Sequence, residues 1–216
     1  MISPDPSVSA SSSSTTVKLL LAITFFLIVC TLSSQLGGYG FVLWSLHPLS
    51  MYLAFILLIP LSFGDLAKSL EYSSISKQYP QANGTTLHAI LNIFGLIFIL
   101  FGYFIAWYVH DIKGKAHFPP LTKGIVRVLH VYVGFVLILA LVSQALLGIS
   151  RYFGLQQLRN LHHYHTSVGK ILWAISLFVL GGGIYIMLVE GTKSYATAAL
   201  SIGFVAIIAQ RILKNV

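Results

Sequence analysis

The chain has 216 residues, of which 56% are hydrophobic and 8% are charged, and its formal net charge is +8 at pH 7. A soluble domain is normally about a quarter charged, so the composition excludes an ordinary soluble enzyme and predicts a membrane protein. The excess Lys and Arg lies at the ends of apolar stretches, which indicates membrane topology and lipid contact and argues against nucleic-acid binding.

Six apolar stretches are long enough to cross a bilayer core about 30 Å thick, which takes about 20 helical residues. A Ser/Thr/Pro-rich segment, 1–16, precedes them and predicts a disordered cytosolic tail. The sequence therefore predicts an all-α membrane domain over 17–216, with a retained first helix preferred to a cleaved signal peptide. In chain order the predicted spans are 17–36, 43–64, 87–109, 125–149, 164–189 and 195–212.

The distribution of cations predicts the orientation. Eight of the 13 Lys and Arg residues fall on the face that holds both termini, and five fall on the other. The positive-inside rule then places both termini in the cytosol, in a membrane that the sequence does not identify. Asn83-Gly84-Thr85 is a glycosylation triplet on the cytosolic face of this arrangement, so a glycan on it would invert the topology.

Four consecutive spans each carry one histidine near an end. His47 and His130 belong near the non-cytosolic face, and His88 and His165 near the cytosolic face. Ionisable groups in a bilayer are costly and are therefore functional candidates. Only groups at the same depth can bind one iron, and both imidazoles must be neutral to do so. The pattern predicts two haems, one above the other, each held by one pair of histidines as axial metal ligands.

Three neighbouring residues are further candidates for cofactor binding. Gly134 and Gly169 each lie four residues after the histidine of their span, on the same helix face, where glycine leaves space for a flat macrocycle. Asn92 lies four residues after His88 and can hydrogen-bond to another helix or to a haem edge. In the alternative interpretation, each histidine is simply a polar residue that hydrogen-bonds to a neighbouring helix.

Acidic residues do not accompany the histidines. The five acidic residues all lie outside the predicted hydrocarbon core, whereas ion carriers usually combine carboxylates with histidines in the membrane. The sequence also lacks the common catalytic motifs of soluble enzymes. We therefore predict no catalytic side chain, and a path for electrons rather than ions.

Four motifs occur in order around the histidines: Trp44-Ser45-Leu46-His47-Pro48, Leu87-His88, His130-x-x-x-Gly134 and His162-His163-Tyr164-His165-x-x-x-Gly169. As an ordered set over about 41–190 they resemble the cytochrome b561 family. The doubled histidine before the fifth span is similar to the branch often joined to a DOMON domain, of which this sequence shows none. The resemblance implies a four-helix core of spans two to five and two b-type haems. It also implies a transmembrane oxidoreductase that takes electrons from cytosolic ascorbate and passes them to monodehydroascorbate or ferric iron.

At two positions the chain departs from the family pattern, and this changes which residues are candidates for substrate contact. Family members often have a lysine three residues before the third-span histidine, where this chain has Thr85. Lys77, Arg159 and Lys170 are the remaining candidates for binding ascorbate, with Arg159 preferred, and simple membrane anchoring is their alternative role.

On the acceptor side, a His-Phe pair often lies about five residues before the fourth-span histidine in the family that the chain resembles. Here His117-Phe118 lies 13 residues before it, with two prolines between. Lys115, His117 and His110 are the candidates for contact with the acceptor.

Two other functions stay open at this point. One is a haem-bearing anchor that relays electrons to quinone for a partner enzyme. Such anchors can carry two haem ligands on one helix, about 13 residues apart. His117 and His130 have a comparable spacing, but Pro119-Pro120 would interrupt a helix between them. The other is a non-enzymatic membrane carrier or scaffold. A homodimer is also compatible with the sequence.

Overall fold

The structure, a computed structural model, describes residues 18–28, 43–63, 84–154, 159–191, 201–203, 205–207 and 210. All regular secondary structure in these ranges is helical, which confirms the all-α prediction. The predicted tail, Lys77 and Asn83 lie outside the described residues, and the side chain of Arg159 is also not described.

Five apolar helices make up most of the described chain: α1 (Lys18–Ile28), α2 (Leu43–Leu61), α3 (Gly84–Ile112), α4 (Ile125–Tyr152) and α5 (His165–Tyr185). Four of them, α2 to α5, are long and apolar enough to cross a membrane. Their bounds agree with predicted spans two to five to within a few residues. Of span one the structure describes 18–28, and of span six only 201–203, 205–207 and 210, so the count of six stays a prediction.

Helix α2 is not uniform along its length. It begins with a 3-10 turn (Leu43–Ser45), continues as α-helix (Leu46–Tyr52), widens into a π turn (Leu53–Leu58) and ends as α-helix (Ile59–Leu61). Pro60 has no N–H to donate to the carbonyl four residues earlier, and the widened turn lies just before it. Helix α5 also continues into a π turn, Ile186–Gly191.

The four long helices form two antiparallel hairpins. Helix α2 packs along α3 in the first hairpin, and α4 packs along α5 in the second. The buried core between them includes Tyr52 and Ile56 of α2 and Trp173 of α5, and the indole N–H of Trp173 donates to the Phe55 carbonyl at 3.0 Å. Many large apolar side chains point outward, as expected of helices in lipid.

Candidate functional site

The four predicted ligands meet as two pairs, one at each end of the bundle. The ring centroids of His47 and His130 lie 6.3 Å apart, and those of His88 and His165 lie 6.1 Å apart. In each pair, one histidine comes from the first hairpin and the other from the second. These two groups are called the His47 pair and the His88 pair below.

The separations suit a single iron between the two rings of each pair. A metal–imidazole bond is about 2.0 Å long, and the bonded nitrogen lies about 1.1 Å from the centre of its ring. Two axial imidazoles on one iron therefore have centroids about 6.2 Å apart. Both pairs match this value. The ring planes are nearly perpendicular, at 86° and 78°, which ligation permits because each ring can turn about its own metal bond.

Three of the four imidazoles have the Nδ1 atom at hydrogen-bond distance from a backbone carbonyl. The three contacts, each 2.9 Å long, join His47 to Gly102, His88 to Ser62 and His130 to Val179. In each case the carbonyl belongs to the other arm of the same hairpin, and Ser62 directly follows α2. An Nδ1–H that donates to a carbonyl leaves Nε2 unprotonated and able to bind a metal, and it fixes the orientation of the ring.

The fourth imidazole, that of His165, has a different neighbour. Its Nδ1 lies 2.9 Å from the amide nitrogen of Gln144 on α4. The same amide nitrogen also donates to the backbone carbonyl of His165. The contact again lies within one hairpin, but here a side chain replaces the main chain.

Two glycines provide the space for the imidazoles of the second hairpin. A Cβ added at Gly183 would lie 2.8 Å from Cε1 of His130, and one added at Gly148 would lie 3.0 Å from Cε1 of His165. Each glycine lies four residues after the residue that contacts the same ring, on the same helix face. From sequence alone, Gly181-Gly182-Gly183 predicts only a close helix contact or a kink, and no pattern singles out Gly148 or Gln144.

The glycines that the sequence did single out face the partner helix. A Cβ at Gly134 would lie 3.5 Å from the Val179 side chain, and one at Gly169 would lie 3.3 Å from the Gln144 amide nitrogen. Their predicted role beside a macrocycle stays a prediction. Asn92 donates to the hydroxyl of Ser62, the residue that follows α2, at 2.7 Å.

A series of neighbouring aromatic and imidazole rings leads outward from the His47 pair. Trp44 lies between His47 and His110, with ring centroids 5.6 Å and 5.5 Å away. His117 follows at 5.9 Å from His110 and stacks on Trp107 at 3.6 Å. These rings, called the aromatic column below, end in the loop before α4, where His117 Nε2 also lies 2.8 Å from Asp111. Because His117 lies in this loop, it does not share a helix with His130.

The cations that the sequence proposed as substrate contacts are spread over both ends. Lys115 is exposed in the loop at the His47 end, and Lys170 is half-buried on α5, five residues after His165. Arg127, which the sequence did not suggest, is half-buried three residues before His130. A half-buried cation beside a predicted haem is a reasonable contact for a carboxylate.

Within the described ranges, no group of three or more His, Cys, Asp or Glu side chains could hold a metal ion. A bis-histidine haem needs only two, because the porphyrin supplies the other four nitrogens. The donor set of each pair, two imidazoles from different hairpins, therefore fits haem and does not fit a bare metal ion.

The family model of eukaryotic cytochrome b561 matches residues 46–188, a range that includes all four paired histidines and well over half of the chain. The chain belongs to the eukaryotic cytochrome b561 family. This confirms the resemblance found in the sequence. The protein is therefore a multi-pass membrane protein of a family that binds haem b and transfers electrons across membranes. A comparison with curated protein sequences found no match.

Proposed function

We propose that the protein carries single electrons across its membrane through two b-type haems, one held by the His47 pair and one by the His88 pair. One observation supports this most strongly: two histidine pairs join the hairpins at 6.3 Å and 6.1 Å, the spacing that one iron requires. A haem held by two histidines would supply a one-electron couple, which suits electron transfer rather than oxygen binding.

The protein's own contribution is to hold the four imidazoles in place, and at His47, His88 and His130 to direct the proton to Nδ1 through a carbonyl. Backbone carbonyls brace three of the rings, and Gln144 braces the fourth. The apolar helices around the pairs exclude water, which limits reactions of the cofactor with solvent. The passage of an electron through the protein needs no side chain as an acid, base or nucleophile. Ascorbate monoanion loses one proton together with each electron, and that proton passes to water at the donor face.

We place the donor at the His88 end, which the positive-inside rule puts in the cytosol together with both termini. Ascorbate is the proposed donor, and as a monoanion it is attracted to cations. Lys170 is the described cation on α5 nearest in sequence to His165. Arg159 and Lys77 complete the proposed set, with Arg159 preferred.

The proposed acceptor, monodehydroascorbate or a ferric chelate, binds at the His47 end. The aromatic column supports this because it connects His47 with the loop that carries His117. Lys115 and its exposed neighbours Lys113 and Lys123 give this loop a positive charge, which suits an anionic acceptor. Outward transfer of an electron toward a positive face is favoured by about 2.3 kcal/mol per 100 mV of membrane potential.

Proteoliposomes with ferricyanide trapped inside test the crossing directly. Ascorbate added outside should bleach the trapped ferricyanide when the protein is present, and it should not do so in protein-free vesicles. A His163→Ala variant, which changes an exposed histidine outside both pairs, should behave as the wild type. Transfer at the wild-type rate by His88→Ala would contradict the proposal.

A further inference from the structure

Among the four paired histidines, His165 is distinguished by what its Nδ1 atom meets. The other three rings face main-chain carbonyls, which no side-chain substitution can remove. His165 faces the amide of Gln144 at 2.9 Å. The amide of Asn92 occupies a comparable position near His88, but it lies 3.4 Å from Nδ1, and that nitrogen already has the carbonyl of Ser62.

An amide can do what a backbone carbonyl cannot. Its nitrogen donates and its oxygen accepts, and the two exchange places when the last side-chain torsion turns over. In the present arrangement the nitrogen donates to the His165 carbonyl and lies near Nδ1. A ring that binds metal through Nε2 carries its proton on Nδ1 and needs an acceptor there, which the amide oxygen supplies after such a turn, in exchange for the present hydrogen bond to the His165 carbonyl.

The packing around Gln144 holds its amide beside the ring. An added Cβ at Gly169, one turn after His165 on α5, would lie 3.3 Å from the amide nitrogen. Four residues after Gln144, Gly148 leaves room for the ring itself, since a Cβ there would lie 3.0 Å from Cε1. Both Gln144 and His165 are half-buried, so water competes less for this contact than at the surface.

We propose that Gln144 is a positioning residue that sets the orientation and the ligand strength of His165, and thereby the reduction potential of the haem held by the His88 pair. The inference rests on the proposed function, because it assumes a haem at that pair. A stronger acceptor for Nδ1–H makes the imidazole a more basic ligand, which favours ferric over ferrous iron. The potential of this haem is then adjustable by one side chain, whereas backbone carbonyls fix the orientation of the other three ligands.

The test is a spectroelectrochemical titration of purified, haem-loaded protein, with haem content and low-temperature electron paramagnetic resonance measured on the same samples. Gln144→Leu removes the acceptor at similar size. Gln144→Glu keeps an oxygen acceptor in either protonation state. Ser143→Ala is the matched control, because Ser143 is the exposed neighbour whose hydroxyl donates to the Leu139 carbonyl of its own helix.

We expect Gln144→Leu to raise the midpoint of one haem and leave the other unchanged. The ferrous-to-ferric ratio of that haem at fixed potential should rise up to about tenfold, which is about 59 mV for one electron. Gln144→Glu should keep the wild-type midpoint of that haem or lower it, and Ser143→Ala should leave the midpoints of both haems unchanged. Loss of one haem in Gln144→Leu but not in Gln144→Glu would also support the inference.

Three results would overturn it. First, the haem midpoints could stay unchanged in both Gln144 variants. Second, the midpoints of both haems could shift together. Third, the midpoint in Gln144→Glu could shift as it does in Gln144→Leu, which would indicate an effect of packing rather than of hydrogen bonding. Wild-type protein that binds no haem would overturn the proposed function and this inference together. Wild-type protein with two haems that respond in one of these three ways would overturn the inference alone.

Discussion

The three consecutive glycines of α5 allow a graded test of how closely the bundle fits His130. A Cβ at Gly183 would lie 2.8 Å from Cε1 of His130, about 0.7 Å inside the best separation of two carbon atoms, which is about 3.5 Å. A metal site tolerates deviations of about 0.2 Å in its metal–ligand distances. The His130 ring would have to move by several times that distance. We expect Gly183→Ala to lose one of the two haems and to cost about 1–3 kcal/mol of stability through overpacking.

The neighbouring glycines are its controls. An added Cβ at Gly181 meets nothing within 4 Å, and one at Gly182 meets His130 only at 3.7 Å, an ordinary contact. Gly181→Ala should therefore keep both haems and gain up to about 1 kcal/mol from the lower entropy of the unfolded chain. The assay is the pyridine haemochrome absorbance per mole of protein, together with the thermal unfolding midpoint. Equal haem content in Gly181→Ala and Gly183→Ala would refute the reasoning.

Three further predictions concern other contacts. Gly148→Ala should also lower the haem content, but by displacing His165. The haem that remains should therefore differ from the one that remains in Gly183→Ala, and its redox midpoint should show this. Trp173→Phe removes the 3.0 Å hydrogen bond to the Phe55 carbonyl and should destabilise the bundle by about 1–2 kcal/mol in an unfolding titration. Lys170→Met should raise the KM for ascorbate about fivefold, equivalent to about 1 kcal/mol, and the effect should shrink in high salt; an unchanged KM would remove Lys170 from the donor site.

The long helices and the meeting of the histidines could be predicted from the sequence, because both depend on local regularities. Apolar length determines where a span begins and ends, and the alternation of the helices then places His47 beside His130 and His88 beside His165 at matching depths. Neither the span bounds nor the common depth needs the rotation of one helix against another, whereas the contact between the two rings of a pair does.

The residues that brace the rings could not be predicted in the same way. Which carbonyl meets Nδ1, and which glycine faces Cε1, depends on the rotation and axial shift of two packed helices to within about an ångström. Gly169 shows the difference: the i+4 spacing placed it on the face of His165, but it took the packed hairpin to reveal Gln144 as its neighbour. The aromatic column likewise depends on how the loop before α4 folds back on Trp107.

The pairing of the ligands is tested most directly by haem content in double variants. Replacing both members of one pair, as in His47→Ala with His130→Ala, should leave one haem per protein. Replacing one member of each pair, as in His47→Ala with His88→Ala, should leave none, although both proteins lack two histidines. The same haem content in the two double variants would contradict the assignment of two haems to these two pairs.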